Sequence, residues 1–149
     1  AGKVAKDRLA ADMAVELKPD NIASISIWPG IVSTERIINL TNQSNQRDIL
    51  DMFGDTKNWE TPFFIGRVIA TLATEPNIMN HTGKVCIVAE VAEKYNIIDE
   101  NGNCPISLRS LRFLIPLIVP TLRKYAWLIP NIKVPWFLLL WGRLASPQI

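Results

Sequence analysis

The sequence predicts a parallel α/β fold, and three observations carry that prediction. Helical and extended patterns alternate through residues 1–104; the apolar run Ile22-Ala23-Ser24-Ile25-Ser26-Ile27 reads as a buried strand; and that run ends in Trp28-Pro29-Gly30, a turn at the strand's carboxyl end. Open parallel sheets receive ligands beyond the carboxyl ends of their strands. The backbone amides of this turn and the hydroxyl of Thr34 are therefore the first candidate site.

Each element follows from local pattern. Ala5, Leu9, Met13 and Leu17 recur every four residues, with Ala10 and Ala14 beside them, which predicts a helix over 4–18. Pro19-Asp20-Asn21 ends it and a strand over 22–28 follows. Residues 35–60 are polar and weakly periodic, and predict a long mobile loop of the kind that forms lids, with a short helix over 47–53. Thr61-Pro62 opens the next helix, hydroxyl at the cap and proline in the first turn, with Phe64, Val68 and Leu72 on its apolar face. Glu75-Pro76-Asn77 closes it, Thr82-Gly83 turns the chain, and 84–88 reads as a second short strand. Helix, strand, loop, helix, strand is the order of a parallel sheet with right-handed crossovers.

Charge divides the chain in two. Residues 1–104 carry 10 Lys and Arg against 14 Asp and Glu, whereas 105–149 carry 6 basic residues and no acid. The second part also holds six of the ten prolines and three of the five tryptophans, in broken apolar runs such as Phe113-Leu114-Ile115-Pro116 and Trp136-Phe137-Leu138-Leu139-Leu140-Trp141. No run reaches the ~18 residues of a spanning helix. Basic, Trp-containing segments of this kind predict a helical extension lying on a membrane surface, with Arg109, Arg112, Arg123 and Lys124 facing anionic lipid. The plainer expectation is that the extension covers the body or forms a homo-oligomer contact. Its charges are interspersed with Leu, Ile and Trp, which argues against nucleic acid.

Other chemistry finds little support. Two cysteines, Cys86 and Cys104, and one histidine, His81, make no metal set. His81 reads as a surface residue in a turn and Cys86 as a small buried hydrophobe. Asp48, Asp51, Asp55 and Glu60 read as the solvated face of a loop.

Gly2-Lys3, then Lys6-Asp7-Arg8-Leu9-Ala10-Ala11-Asp12-Met13-Ala14 with Glu16-Leu17, Trp28-Pro29-Gly30-Ile31-Val32 with Thr34-Glu35, Ala73-Thr74-Glu75-Pro76-Asn77-Ile78 and Thr82-Gly83-Lys84-Val85 stand in order along the chain. This ordered set resembles the carboxyl-terminal portion of the short-chain dehydrogenase/reductase family. The resemblance implies part of a Rossmann-like, doubly wound parallel sheet. It also implies an enzyme that transfers a hydride between NAD or NADP and a carbonyl or alcohol of a small or lipophilic substrate.

In that family a Tyr-x-x-x-Lys pair stands on one helix face. The resemblance makes Lys3 the catalytic lysine, also holding the nicotinamide ribose, and puts the tyrosine two residues before Ala1. An ammonium beside a phenol favours the phenolate and lowers a pKa that is ordinarily ~10. By the same resemblance Pro29, Gly30 and Val32 shape the nicotinamide side of the pocket. The Val32 backbone bonds the carboxamide, Thr34 adds a hydroxyl contact, and 35–60 is the substrate lid. The setting implied is intracellular, at the endoplasmic reticulum membrane or in the cytoplasm.

The departures bear on activity. Tyr95 and Tyr125, the two tyrosines, are followed four residues on by Asp99 and Ile129, and the glycines at 2, 30, 54, 66, 83, 102 and 142 are too dispersed for a phosphate-cradling turn. The chain reads as a fragment that by itself neither binds nicotinamide cofactor tightly nor turns over. With two strands it cannot cover its own sheet edges, so a partner chain, aggregation or disorder is expected if it stands alone. The competing expectation is a non-catalytic, membrane-associated or interaction protein derived from such an enzyme.

Overall fold

A computed structural model describes residues 2–43 and 55–138. Helix α1 (Gly2–Leu17) leads through a 3-10 turn, Lys18–Asp20, into strand β1 (Ser26–Trp28). Asn21, in the left-handed region at φ 56°, reverses the chain between them. Helix α2 (Glu35–Gln43), a 3-10 turn at Thr56–Asn58 and helix α3 (Pro62–Ala73) precede strand β2 (Val85–Ile87). Helix α4 (Val88–Tyr95) follows β2 directly, and helix α5 (Leu111–Ile118) runs into a 3-10 helix, Pro120–Leu128.

β1 and β2 pair in parallel, Ser26 opposite Val85, Ile27 opposite Cys86 and Trp28 opposite Ile87. The parallel α/β expectation holds at this level. The strands are shorter than their sequence patterns. Ile22 is half exposed, and Ser24 meets the neighbouring segment by donating its amide to Thr82 Oγ1 at 3.0 Å and accepting the Gly83 amide at 2.7 Å. At the other end Val88, read as strand, is the first residue of α4.

The core lies where α3 and α4 close on β2. Phe64, Val68 and Leu72 recur every four residues on α3 and are buried against Cys86, Val88, Val91 and Ala92, with Ile27 of β1 and the preceding Ile25 packed on the same cluster. Thr61 caps α3 as its sequence predicts, its Oγ1 accepting the Phe64 amide at 3.1 Å. The expected stripe of α1 is displaced. Its packed face runs through Asp7, Ala10, Ala11, Ala14 and Leu17, while Leu9 and Met13 are exposed. Alanines win this face because α1 lies close on the sheet: a Cβ added to Gly83, itself at φ 72°, would sit 3.2 Å from that of Ala14.

Residues 35–60 also differ from the predicted loop. Their first part is the amphipathic helix α2, and their last two residues, Trp59 and Glu60, are buried. The expected helix over 47–53 lies outside the described residues.

Among the described residues, two ion pairs dock the carboxyl-terminal extension on α4: Lys133 Nζ meets Glu93 Oε2 at 2.5 Å, and Arg109 meets the less exposed Glu90. Arg109 forks onto Glu90 of α4, Nε to Oε1 at 2.9 Å and Nη2 to Oε2 at 2.7 Å, while Ser107 donates to Oε1 at 2.6 Å. The guanidinium lies 4.6 Å from the ring centre of Trp136, and Trp136 meets Trp28 edge-on at 5.7 Å. Arg112 and Arg123 donate through Nε to the carbonyls of Ile129 and Pro116. Three of the four residues expected to face lipid thus make contacts within the chain. Among the described residues, no helix is long and apolar enough to cross a membrane.

Burial pushes the Glu90 carboxyl up, but its hydrogen bonds from Arg109 and Ser107, with the charge of Arg109, outweigh that and hold it below the usual carboxylate range. A depressed acid stabilises the fold above its unfolded pKa and loses that contribution as pH falls through its folded one. Arg109→Ala strands the Glu90 carboxylate and is expected to cost about 2–4 kcal/mol, with Arg109→Lys recovering only part of it. Urea midpoints at neutral pH check this; an unchanged midpoint would deny the pair its docking role.

Candidate functional site

The expected turn at Pro29-Gly30 is not formed: the chain runs on from β1 without a turn or bend into a bridge at Val32, and this segment is fixed by one whose polarity suggests a solvated loop. Val32 and Glu60 form a parallel bridge in which the Glu60 amide donates to the Ile31 carbonyl at 2.8 Å and the Ser33 amide donates to the Glu60 carbonyl at 2.9 Å. Ser33 Oγ donates to the same carbonyl at 3.1 Å. This pattern turns the N–H and C=O of Val32 itself the other way. Its carbonyl accepts the Thr34 amide at 2.8 Å, and its N–H meets no acceptor among the described residues. An amide turned away from the bridge, beside Pro29-Gly30, is a donor for a ligand carbonyl.

The Glu60 side chain backs this segment from inside. It is 1% exposed and takes a hydrogen bond from the Gly30 amide, and a Cβ added to Gly30 would lie 2.8 Å from Oε1. Only glycine fits there without displacing the carboxylate. Oε2 is buried and has no hydrogen-bond partner among the described residues. Burial pushes the carboxyl up to about 7; the Gly30 amide opposes the rise and the charge of Asp99 adds to it. Asp99 itself is satisfied, accepting from Thr61 Oγ1 at 2.6 Å, the Thr61 amide at 3.0 Å and the Glu100 amide at 2.7 Å.

Lys3 is exposed on the first turn of α1. Four residues later, on the same helix face, Asp7 Oδ1 accepts from Ser26 Oγ at 2.5 Å and from Trp28 Nε1 at 2.7 Å. With Ala14 beside Gly83 at the other end of the sheet, α1 runs antiparallel to β1. Lys3 therefore lies four residues, about 6 Å along the axis, beyond the contact with Trp28, on the side of the strand's carboxyl end. Thr34 is exposed just before α2, and its Oγ1 accepts the Ile37 amide at 3.4 Å.

The sequence pattern does not single out Glu60, since a carboxylate among Asp and Asn residues reads as solvated. Its one available signal is position: it immediately precedes the Thr61-Pro62 helix start. His81, expected on the surface, is half-buried, with Nδ1 3.7 Å from Cys86 Sγ; Cys86 is buried as expected, which pushes its thiol up. The Tyr95 hydroxyl donates to Glu75 and receives Lys94 Nζ at 3.0 Å, an adjacent pair without the one-turn spacing. Among the described residues, no group of three or more His, Cys, Asp or Glu is arranged to hold a metal.

The segment beyond the carboxyl end of a parallel strand, here clasped by Glu60, is where open parallel α/β proteins receive ligands. Comparison with known proteins narrows the class. The chain is 38% identical over 104 residues to dehydrogenase/reductase SDR family member 1 of Mus musculus and 36% identical over 104 residues to that of Homo sapiens. Each match covers 68% of this chain and 33% of the relative, so the chain spans about a third of the length of the curated relatives it matches. No protein-family model matches. Over the matched residues the chain belongs to the short-chain dehydrogenase/reductase family.

A carboxyl whose folded pKa is raised to about 7 favours the fold below its unfolded value, and that advantage fades as pH climbs from about 4.5 to 7. Glu60→Gln removes the titration while keeping the shape. At pH 8 the variant is expected to be more stable than the parent by ~3 kcal/mol at most, and near equal at pH 4.5. Paired denaturation curves test this; a parent advantage at pH 8 would mean that the charged carboxylate is the form the fold holds.

Proposed function

We propose that this chain is the carboxyl-terminal part of an NAD(P)-dependent short-chain oxidoreductase acting on a carbonyl or alcohol of a small or lipophilic substrate. The observation that supports the reading is the segment after β1 clasped by Glu60, with Gly30 backed by its carboxylate and the Val32 amide turned away from the bridge. The group, when bound, supplies or takes up the hydride. The residues here fit it. The Val32 N–H is a donor for the nicotinamide carboxamide, Gly30 leaves the segment without a side chain, and the exposed Thr34 hydroxyl can add a contact. Lys3, approaching the same end of β1, has the reach to hold a ribose hydroxyl and to favour the phenolate of a tyrosine one helical turn before it. A phenol so tuned exchanges the substrate proton near neutral pH.

The extension supports a second, compatible reading, contact with a membrane surface. Ile118, Trp127, Leu128 and Phe137 are exposed, and Lys124 stands exposed among them.

The coding sequence upstream of Ala1 tests the main reading first, by whether a tyrosine stands two residues earlier and a glycine-rich loop well before it. In the protein extended to include them, Lys3→Met is expected to lower kcat/KM for NAD(P)-dependent carbonyl reduction by roughly a hundredfold or more. An unaffected rate, or turnover by the 149-residue chain alone, would contradict the assignment.

A further inference from the structure

Apart from the clasped segment, the fold holds a cavity of about 660 Å³ between α2, the 3-10 turn at Thr56–Asn58 and the α5 hairpin of the extension. None of Lys3, Pro29, Gly30, Val32 and Thr34 lines it. Its volume falls in the ~300–1,000 Å³ range of small-molecule sites. Phe113, Leu117 and Trp127 form an apolar wall, and Trp127 is 72% exposed, a large aromatic left uncovered at the mouth. Lys57, Arg112 and Lys124 stand around that wall.

Among the described lining residues the charge is mostly positive, Lys57, Arg112, Arg123 and Lys124 against Asp55, and partly fixed in place. Arg112 is held through its backbone amide, which donates to the Ser110 cap at 3.1 Å, and through Nε, which donates to the Ile129 carbonyl at 2.7 Å. Both partners are neutral, and Arg112 makes no ion pair among the described residues, so the guanidinium keeps its full charge at the cavity. Asp55 is the one acid among the described lining residues, and its carboxylate accepts the Lys57 amide at 3.0 Å in the local turn. A guanidinium fork matches a carboxylate, and two lysines reinforce it.

We propose that this cavity binds an amphiphilic monoanion: an unbranched acyl chain against Phe113, Leu117 and Trp127, its carboxylate at Arg112 with Lys57 and Lys124. A neutral chain of equal length would gain the apolar contact and forfeit the ion pair. A cationic one would be repelled. The site uses none of Lys3, Pro29, Gly30, Val32 and Thr34, but Lys57 belongs to 35–60, the segment that the resemblance makes the substrate lid; its test reads binding alone, so the outcome is separate from that of the oxidoreductase reading.

The test is titration of the 149-residue chain with decanoate, decanol and decyltrimethylammonium, each below its aggregation threshold, followed by tryptophan fluorescence, with Trp127→Phe identifying the reporter. Saturable 1:1 binding of decanoate is expected, about tenfold or more tighter than decanol, with the cation weakest. Lys57→Glu with Lys124→Glu, both at exposed positions, should weaken decanoate about tenfold and leave decanol unchanged. Equal affinity for the three amphiphiles would overturn the proposal. So would indifference to the charge reversals, or binding to anionic phosphatidylserine vesicles by a chain that ignores monomeric decanoate, which would make the region a membrane-contact surface instead.

Discussion

Glu60 pairs its backbone with Val32, sets its carboxylate behind Gly30 and passes the chain directly to the Thr61 cap of α3. Most of what is particular to the candidate site depends on that arrangement. The bridge orients the Val32 amide away from Glu60, the carboxylate abuts Gly30 so that a Cβ there would have to displace it, and the cap joins both to a helix whose Phe64, Val68 and Leu72 are in the core. Asp99, accepting both Thr61 donors, ties the same corner to the loop after α4. The clasp carries an energetic cost, since a carboxylate with one buried, unpartnered oxygen is disfavoured in its charged form. A fold that tolerates such a group is holding the segment in one conformation rather than reaching its greatest stability.

A second chain of contacts runs beneath the first. Asp7 of α1 holds Trp28, Trp28 meets Trp136, Trp136 lies under Arg109, and Arg109 forks onto Glu90. It joins the helix that carries Lys3, the strand that leads into the clasped segment, and the extension. The acidic body and basic extension visible in the sequence are thus in part complementary to each other. The charge left over, at Lys57, Arg112 and Lys124, gathers around the cavity.

Elements with strong local signals were legible in the sequence: the cap and proline of α3, its every-fourth-residue stripe and the parallel order; the turn expected at Pro29-Gly30 is instead chain running on without a bend into the bridge at Val32. The misread parts share a physical cause, that tertiary partners override local pattern. Leu9 and Met13 form a better stripe than Ala10 and Ala14, yet small side chains win where α1 must approach Gly83. Val88 looks like strand because it is β-branched and follows Ile87, but it opens a helix whose next turns bury Val91 and Ala92. Glu60 is polar in a polar stretch, and only the three-dimensional pairing with Val32 shows that it is inside. Lys3, Pro29, Gly30, Val32 and Thr34 rest on resemblance, and the structure adds that the clasped segment and the start of α1 lie at the same end of the sheet.

The central claim is that Trp59-Glu60-Thr61 and the segment 29–33 form one unit with the start of α3. Amide hydrogen exchange on the 149-residue chain tests it most directly. The account predicts that the amides of Ser33, Glu60 and Ile65 are protected to similar degrees and open together, and that Glu60→Ala lowers protection at Ser33 as well as at the helix start. Free exchange at Ser33 and Glu60 while Ile65 stays protected would contradict it, leaving a folded helix beside an unclasped segment.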